Sequence, residues 1–157
     1  MIYLGGKASS IDEGIALAES AISSGRALQK LAEMIEYQGG NKAVIDDYSL
    51  FPEAKLSAEI KALRSGYIES IDAEEIGLAS QHSGAGRASK EDEIDHSAGI
   101  KLVAKRGDRV ELSDTIAIVY SSDEGKLKQA CEEVLSAYAI SDSQPKAEPL
   151  IKTMIGL

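Results

Sequence analysis

The sequence has no tryptophan and only one phenylalanine, one cysteine and two histidines in 157 residues. With six tyrosines as almost its whole aromatic content, it lacks the stacking platforms that hold single-stranded nucleic acid. The lone Cys131 excludes an internal disulfide, and two histidines give little material for zinc. No apolar run approaches the roughly 18 residues of a membrane helix. The opening Met1-Ile2-Tyr3-Leu4-Gly5-Gly6 shows neither a basic n-region nor an apolar h-region, so no signal peptide is expected and the default compartment is the cytoplasm. Positive charge is scarce as well. Seventeen Lys and Arg face 26 Asp and Glu, and the net charge of −9 disfavours both nucleic acid and anionic membrane as partners. A small anionic substrate would need a local basic pocket.

What is present suits a packed core. Hydrophobic residues make up 43% and charged residues 27%, which excludes disorder throughout. The length fits one domain, or one domain with a helical appendage. Ser10 and Glu13 have the spacing of a helix capping box, Ile11, Ile15, Ala18 and Ile22 follow on one face, and Gly25 offers a stop. A second helix is expected from about Arg26 to Gln38, with Leu28, Leu31 and Ile35 on one face and Gly39-Gly40 ending it. Two short helices cannot bury both stripes against each other and stay stable, so both need a further surface.

Residues 41–52 read as a linker. Beyond it, Leu56, Ala58 and Ile60 alternate with polar residues, and a second strand opens at Gly66. Asp72 and Glu75 make another capping box before a short helix, and Ser83-Gly84-Ala85-Gly86-Arg87 is a loop by composition. Ile100, Leu102 and Ala104 alternate, and residues 116–120 form a buried strand. A helix is expected from Asp123 to about Tyr138, with Leu127, Ala130, Cys131, Val134 and Leu135 as its stripe. Ala139-Ile140 adds a short strand, and a polar linker leads to an apolar end, residues 150–155, that would dock. The pattern is α+β with a helical preface.

Several residues invite a chemical reading. His82 and His96 flank the glycine loop, but a metal there would need further ligands, and the nearby run Glu91-Asp92-Glu93 with Asp95 reads as a solvated face. Cys131 on an apolar stripe reads as a small core residue rather than a nucleophile. Gly84-Ala85-Gly86 lacks the strand before and helix after that a phosphate cradle requires. Arg106-Gly107-Asp108 spells an adhesion tripeptide but reads as a turn. The stretch Lys105-Arg106-Gly107-Asp108-Arg109-Val110-Glu111-Leu112-Ser113-Asp114-Thr115-Ile116 has the two-turn cadence of biotinyl and lipoyl carrier domains, and Gly66-Tyr67-Ile68 suits the opening of the same half-barrel. The cadence points to a barrel-sandwich fold. A carrier also needs an attachment lysine at a hairpin tip, in a Met-Lys-Met or Asp-Lys-Ala triplet, and none occurs between Gly66 and Tyr120.

Five separated motifs, in order, resemble the C-terminal part of pyrimidine-nucleoside phosphorylases, the family that includes thymidine phosphorylase. They are Met1-Ile2-Tyr3-Leu4, Gln38-Gly39-Gly40, Ser49-Leu50-Phe51-Pro52-Glu53-Ala54, Asp72-Ala73-Glu74-Glu75-Ile76-Gly77-Leu78-Ala79, and the run from Ser83-Gly84-Ala85-Gly86-Arg87 through Asp95. The resemblance spans nearly the whole chain. It implies residues 1–52 as the end of a large α/β domain plus linker, 53–140 as an α/β-hammerhead or barrel-sandwich-like domain, and 141–157 as a tail. It implies a homodimeric pentosyltransferase in which phosphate displaces the base of a pyrimidine nucleoside, with phosphate as co-substrate and a monovalent cation in the full enzyme. That family's phosphate loop, pyrimidine-holding Arg, Ser and Lys, and cation site lie upstream of the matched region, and none of those motifs is present. No catalytic, substrate-binding or metal-ligating residue and no cofactor is therefore expected in this chain. Met1 reads as an internal methionine used as a start or as the first residue of a truncated product, and the remainder of the parent enzyme is the expected partner. The resemblance places residues 83–99 beside the cleft between the family's two domains, with Arg87, Lys90 and Asp95 as cleft-facing candidates. Local ion pairs of Arg87 and Lys90 with the acidic run could hold one shape, and the loop is expected to be mobile in the isolated chain and to help stabilise the closed state of the full enzyme. The alternative reading is a stand-alone carrier or interaction module of the biotinyl/lipoyl type.

Overall fold

A computed structural model describes residues 1–87, 89–149 and 151–153. The chain divides into two compact units, Met1–Phe51 and a second from Pro52 onward.

In the first unit, α1 spans Ile11–Ser23. Its start follows from Ser10, whose hydroxyl accepts the Glu13 N–H at 3.2 Å. The reciprocal half of the expected box lands one residue earlier: the Glu13 carboxylate accepts the Ser9 N–H at 2.7 Å and the Ser9 hydroxyl at 2.5 Å. Gly25, at φ 77°, turns the chain into α2, Arg26–Tyr37. Gly39 at φ 80° lets the Gly40 N–H reach back to the Ile35 carbonyl at 2.8 Å, which closes α2. The linker is wound into two 3-10 turns, Lys42–Ile45 and Tyr48–Leu50, capped by the Asn41 and Asp47 side chains. Of residues 1–51, all described, only Gly14 is buried.

The second unit holds β1 (Leu56–Lys61), β2 (Gly66–Ile71), α3 (Ala73–Ser80), β3 (Gly99–Leu102), β4 (Arg109–Val110), β5 (Thr115–Ser121), α4 (Glu124–Ser136) and β6 (Tyr138–Ser141). The class is α+β. Two antiparallel three-stranded sheets form, ordered β1-β5-β3 and β4-β2-β6. In the first, Ala58 faces Val119 and Ile60 faces Ala117 across β1 and β5, while Ile100 pairs with Val119 from the other side. The central β5 is accordingly apolar on both faces. Helices α3 and α4 pack on each other, and α4 also covers β1 and β5. The core joins Ile60, Ile68, Ala79, Val110, Ile116, Val119, Ala130 and Val134.

The two expected turns share one construction. The Lys105 N–H donates to the Asp108 carboxylate at 2.8 Å, and the Glu111 N–H donates to that of Asp114 at the same distance. The third residue of each turn has positive φ: Gly107 at 92° and Ser113 at 73°. One expectation is corrected. Gln81–Ala85 is not an open loop but a π-helical turn continuing α3, with Ser83 and Gly84 buried. Gly84 at φ 112° supplies the tight bend, and bonds from residues distant in sequence seal it. In the expected apolar end, Leu150, Met154 and Ile155 lie outside the described residues, and Ile151 is exposed.

Candidate functional site

The π turn after α3 is tied to distant parts of the second unit by polar contacts. Its interior is held by serines. The Ser83 hydroxyl donates to the Ser80 carbonyl at 2.8 Å, and the Ser121 hydroxyl, at the end of β5, donates to the Ser83 carbonyl at 2.7 Å. These bonds satisfy groups that would otherwise be buried without partners. The Gly84 carbonyl accepts the Asp95 N–H at 2.9 Å, so the far end of the segment is tied back to the turn.

On the outer side, His82 Nδ1 lies 2.9 Å from both carboxylate oxygens of Glu133 on α4. Gln129, one turn earlier on α4, donates to the same carboxylate at 2.9 Å. Burial alone would push the Glu133 carboxyl up, but the hydrogen bonds from Gln129 and His82 outweigh it and hold it below the usual carboxylate range. Beside this pair lies a shallow 210 Å³ cleft lined by Gln81, His82, Gly86, Asp92, Lys126 and Gln129. Gly86 approaches Gln81 closely there: a Cβ would sit 3.0 Å from Gln81 Cγ and 3.2 Å from Gln81 Cα. Across that close approach the Gln81 amide donates to the Arg87 carbonyl.

The three expected cleft residues differ in exposure. The side chains of Arg87 and Lys90 are exposed, and Asp95 is half-buried. Asp95 accepts the Ser97 N–H at 2.9 Å and the Ser97 hydroxyl at 2.5 Å. Side-chain bonds from Ser97 and then Ser122 hold its carboxyl down at about 2. The Asp92 carboxylate accepts both the Ser89 N–H and the Ser89 hydroxyl. Among the described residues, neither Arg87 nor Lys90 enters an ion pair. Ion pairs from Arg87 and Lys90 that could give the segment one shape are thus not found among the described residues. Serine hydroxyls and backbone amides give shorter, better-aligned partners to these carboxylates than flexible cations do.

The remaining candidates take structural places. His82 and His96 do not pair; His82 is occupied by Glu133. Among the described residues no three His, Cys, Asp or Glu side chains converge as metal ligands. Cys131 is half-buried, and burial, with the nearby Glu132 carboxylate, raises its thiol pKa, the opposite of nucleophile activation. No described helix is long and apolar enough to cross a membrane. The His82–Glu133 pair and the Ser83–Ser121 bond had no local signature in the sequence. The one hint was that Glu133 borders the apolar stripe of α4, where a carboxylate needs a partner.

Residues 67–141 match the family described as pyrimidine nucleoside phosphorylase C-terminal domain. Over 155 residues, 99% of the chain, it is 37% identical to a pyrimidine-nucleoside phosphorylase of Bacillus subtilis, of which the match covers 35%. Over 122 residues, 78% of the chain, it is 42% identical to a pyrimidine-nucleoside phosphorylase of Staphylococcus aureus, covering 28% of that protein. The chain thus spans about a third of the length of these curated relatives. The similarity favours the phosphorylase reading over a stand-alone carrier.

Proposed function

We propose that this chain, which belongs by sequence to the C-terminal part of the pyrimidine-nucleoside phosphorylase family, is the cleft-closing portion of such an enzyme. The observation that carries the reading is the match along 99% of the chain to about a third of a phosphorylase. In the whole enzyme, a phosphate oxygen attacks the anomeric carbon of a pyrimidine nucleoside. The bond from that carbon to the base breaks, and its electron pair leaves on the base nitrogen. Cationic and hydrogen-bonding groups stabilise that developing charge. Those groups, and the site of a monovalent cation, belong to the upstream part. The parent is read as a cytoplasmic homodimer.

Within this chain, residues 1–52 are assigned to the end of the parent's large domain with a linker, 53–140 to a hammerhead or barrel-sandwich-like domain, and 141–157 to a tail. The paired Asp108 and Asp114 turns support the barrel-sandwich assignment, because both reverse the chain tightly at the ends of short strands. Arg87 and Lys90 are assigned to the face of the cleft, where exposed cations with no ion-pair partner among the described residues suit an anionic co-substrate or an acidic surface across the gap. Asp95 acts from behind, fixing the base of their segment through Ser97 and the Gly84 carbonyl.

The test is a chimera of the Bacillus subtilis relative whose C-terminal third is replaced by this chain. It should release free base from thymidine or uridine in the presence of phosphate, while the chain alone should not. Arg87→Ala in the chimera should lower turnover several-fold and leave the melting temperature unchanged, because closing segments often set turnover. An inactive but folded chimera, or base release by the chain alone, would refute the assignment.

A further inference from the structure

Bonds of two kinds tie the π turn and the residues that leave it. The Ser83 carbonyl accepts the Ser121 hydroxyl, the Gly84 carbonyl accepts the Asp95 N–H, and the Arg87 carbonyl accepts the Gln81 amide. None of these donors or acceptors changes charge near neutral pH. The contact of His82 with Glu133 differs, because an imidazole changes charge between about pH 5 and 8. Nδ1 lies 2.9 Å from both Glu133 oxygens. An ionised carboxylate only accepts hydrogen bonds, so Nδ1 carries the hydrogen in either charge state, and the proton that comes and goes is the one on Nε2. Losing it leaves the bond in place but removes its charge, and a charge-assisted bond is roughly twice as strong as a neutral one.

The Glu133 carboxyl is held below the usual carboxylate range, so it stays ionised through that interval. The two side chains are 34% and 25% exposed, which leaves the pair partly shielded from solvent. Lys126 of α4 and Asp92 line the same cleft and act on the imidazole with opposite signs. α3, β3 and β5 also pack against the turn, and none of their residues lines that cleft. Glu133 is a fixed partner, because α4 is anchored by the fully buried Ala130 and Val134. His82 adjoins Gln81, whose side chain packs closely on Gly86 and bonds the Arg87 carbonyl. We infer that His82 is a positioning residue: its charged imidazole braces the turn against α4 and fixes the path of Gly86 and Arg87, and loss of that charge slackens the brace. The stronger bond is present while His82 is charged and is lost as pH rises through the imidazole's titration; it also ends at acid pH, where Glu133 protonates. The brace needs only this chain, while its effect on turnover rests on the functional reading above.

Amide hydrogen exchange on the full chain tests it, at about pH 5.5 and about pH 8, with the intrinsic pH dependence of exchange divided out. Protection of residues 82–87, measured against that of β5, should be about threefold higher at the lower pH, the size expected of a partly exposed pair. His82→Gln keeps a neutral donor and should abolish the step, with protection at both pH values close to that of the unaltered chain at the higher one. Glu133→Gln should abolish it too, while His96→Gln, which removes the other imidazole, should leave it intact. No step in the unaltered chain overturns the inference, and so does a step that survives His82→Gln or vanishes with His96→Gln. If a variant loses its fold, the Glu133 carboxyl carbon decides by NMR in the unaltered chain: its shift should move through the imidazole range, and a flat response overturns the inference. In the chimera described above, turnover relative to His82→Gln should fall about threefold between about pH 6 and about pH 8; an exchange step without that fall overturns the positioning role. An active chimera with no step in either measurement sinks the brace only, and an inactive chimera with the exchange step sinks the assigned activity only.

Discussion

Gly66 and Gly99 open β2 and β3 with nearly the same backbone, φ 156° and 153°, but with different surroundings. A Cβ on Gly66 would lie 2.4 Å from the Ser141 carbonyl oxygen and 2.8 Å from Ile140 Cγ2. Both neighbours are held in β6 by the pairing of Tyr67 with Ser141 and Ile68 with Ile140. A Cβ on Gly99 would meet nothing within 4 Å. Gly66→Ala and Gly99→Ala therefore share a backbone strain of about 1–3 kcal/mol, and only the first adds an overlap with fixed backbone. Forcing a methyl into a packed contact costs about 1–3 kcal/mol. At roughly 4–8 °C per kcal/mol for a domain near 100 residues, Gly66→Ala should melt about 5–20 °C below Gly99→Ala. Thermal denaturation followed by circular dichroism, on the full chain at neutral pH, measures the gap. Hydrogen exchange should place the extra loss in β2 and β6. If the two variants melt together, the close approach of β2 to β6 is not rigid and the reasoning fails.

Three other outcomes can be checked on the same protein. The Asp95 carboxyl is held at about 2 against an ordinary 3.8, so its bonds to Ser97 and Ser122 stabilise the fold above about pH 4 and are lost as pH falls through 2. Asp95→Asn should flatten that acid limb in melting temperature against pH, and an unchanged limb would contradict the assignment. Ser113 at φ 73° should tolerate glycine, while Ser113→Val should destabilise by about 1–2 kcal/mol in chemical denaturation; equal midpoints for the two would count against the left-handed turn. Intact mass spectrometry should return the unmodified chain, because no lysine sits in a carrier triplet; an added biotin or lipoate mass would revive the carrier reading.

Much of the local structure was legible in the residues alone. Ser10 before α1, Asp72 before α3 and Asp123 before α4 each accept helix-start amides within three residues, so short sequence spacing was enough to place them. The Asp108 and Asp114 turns are equally local, alternation marked the inward residues of β1, and an unbroken apolar run marked β5 as a buried strand. The functional reading came only through the order of motifs that the family shares, since no local spacing in the sequence spelled a catalytic motif. Tertiary structure decided the rest. It wound residues 81–85 into a buried π turn, because the Ser121 hydroxyl, 38 residues away, takes the Ser83 carbonyl. It joined His82 to Glu133 across 51 residues and left Arg87 and Lys90 outside the ion pairs that their neighbours in sequence suggested. It split the six strands of the described residues into two sheets in which no neighbours are consecutive. Caps and turns depend on bonds that span three or four residues, and sequence spacing records those. Strand order, the partners of a half-buried carboxylate and the covering of an apolar face depend on segments tens of residues apart, and no local pattern encodes which of them will meet.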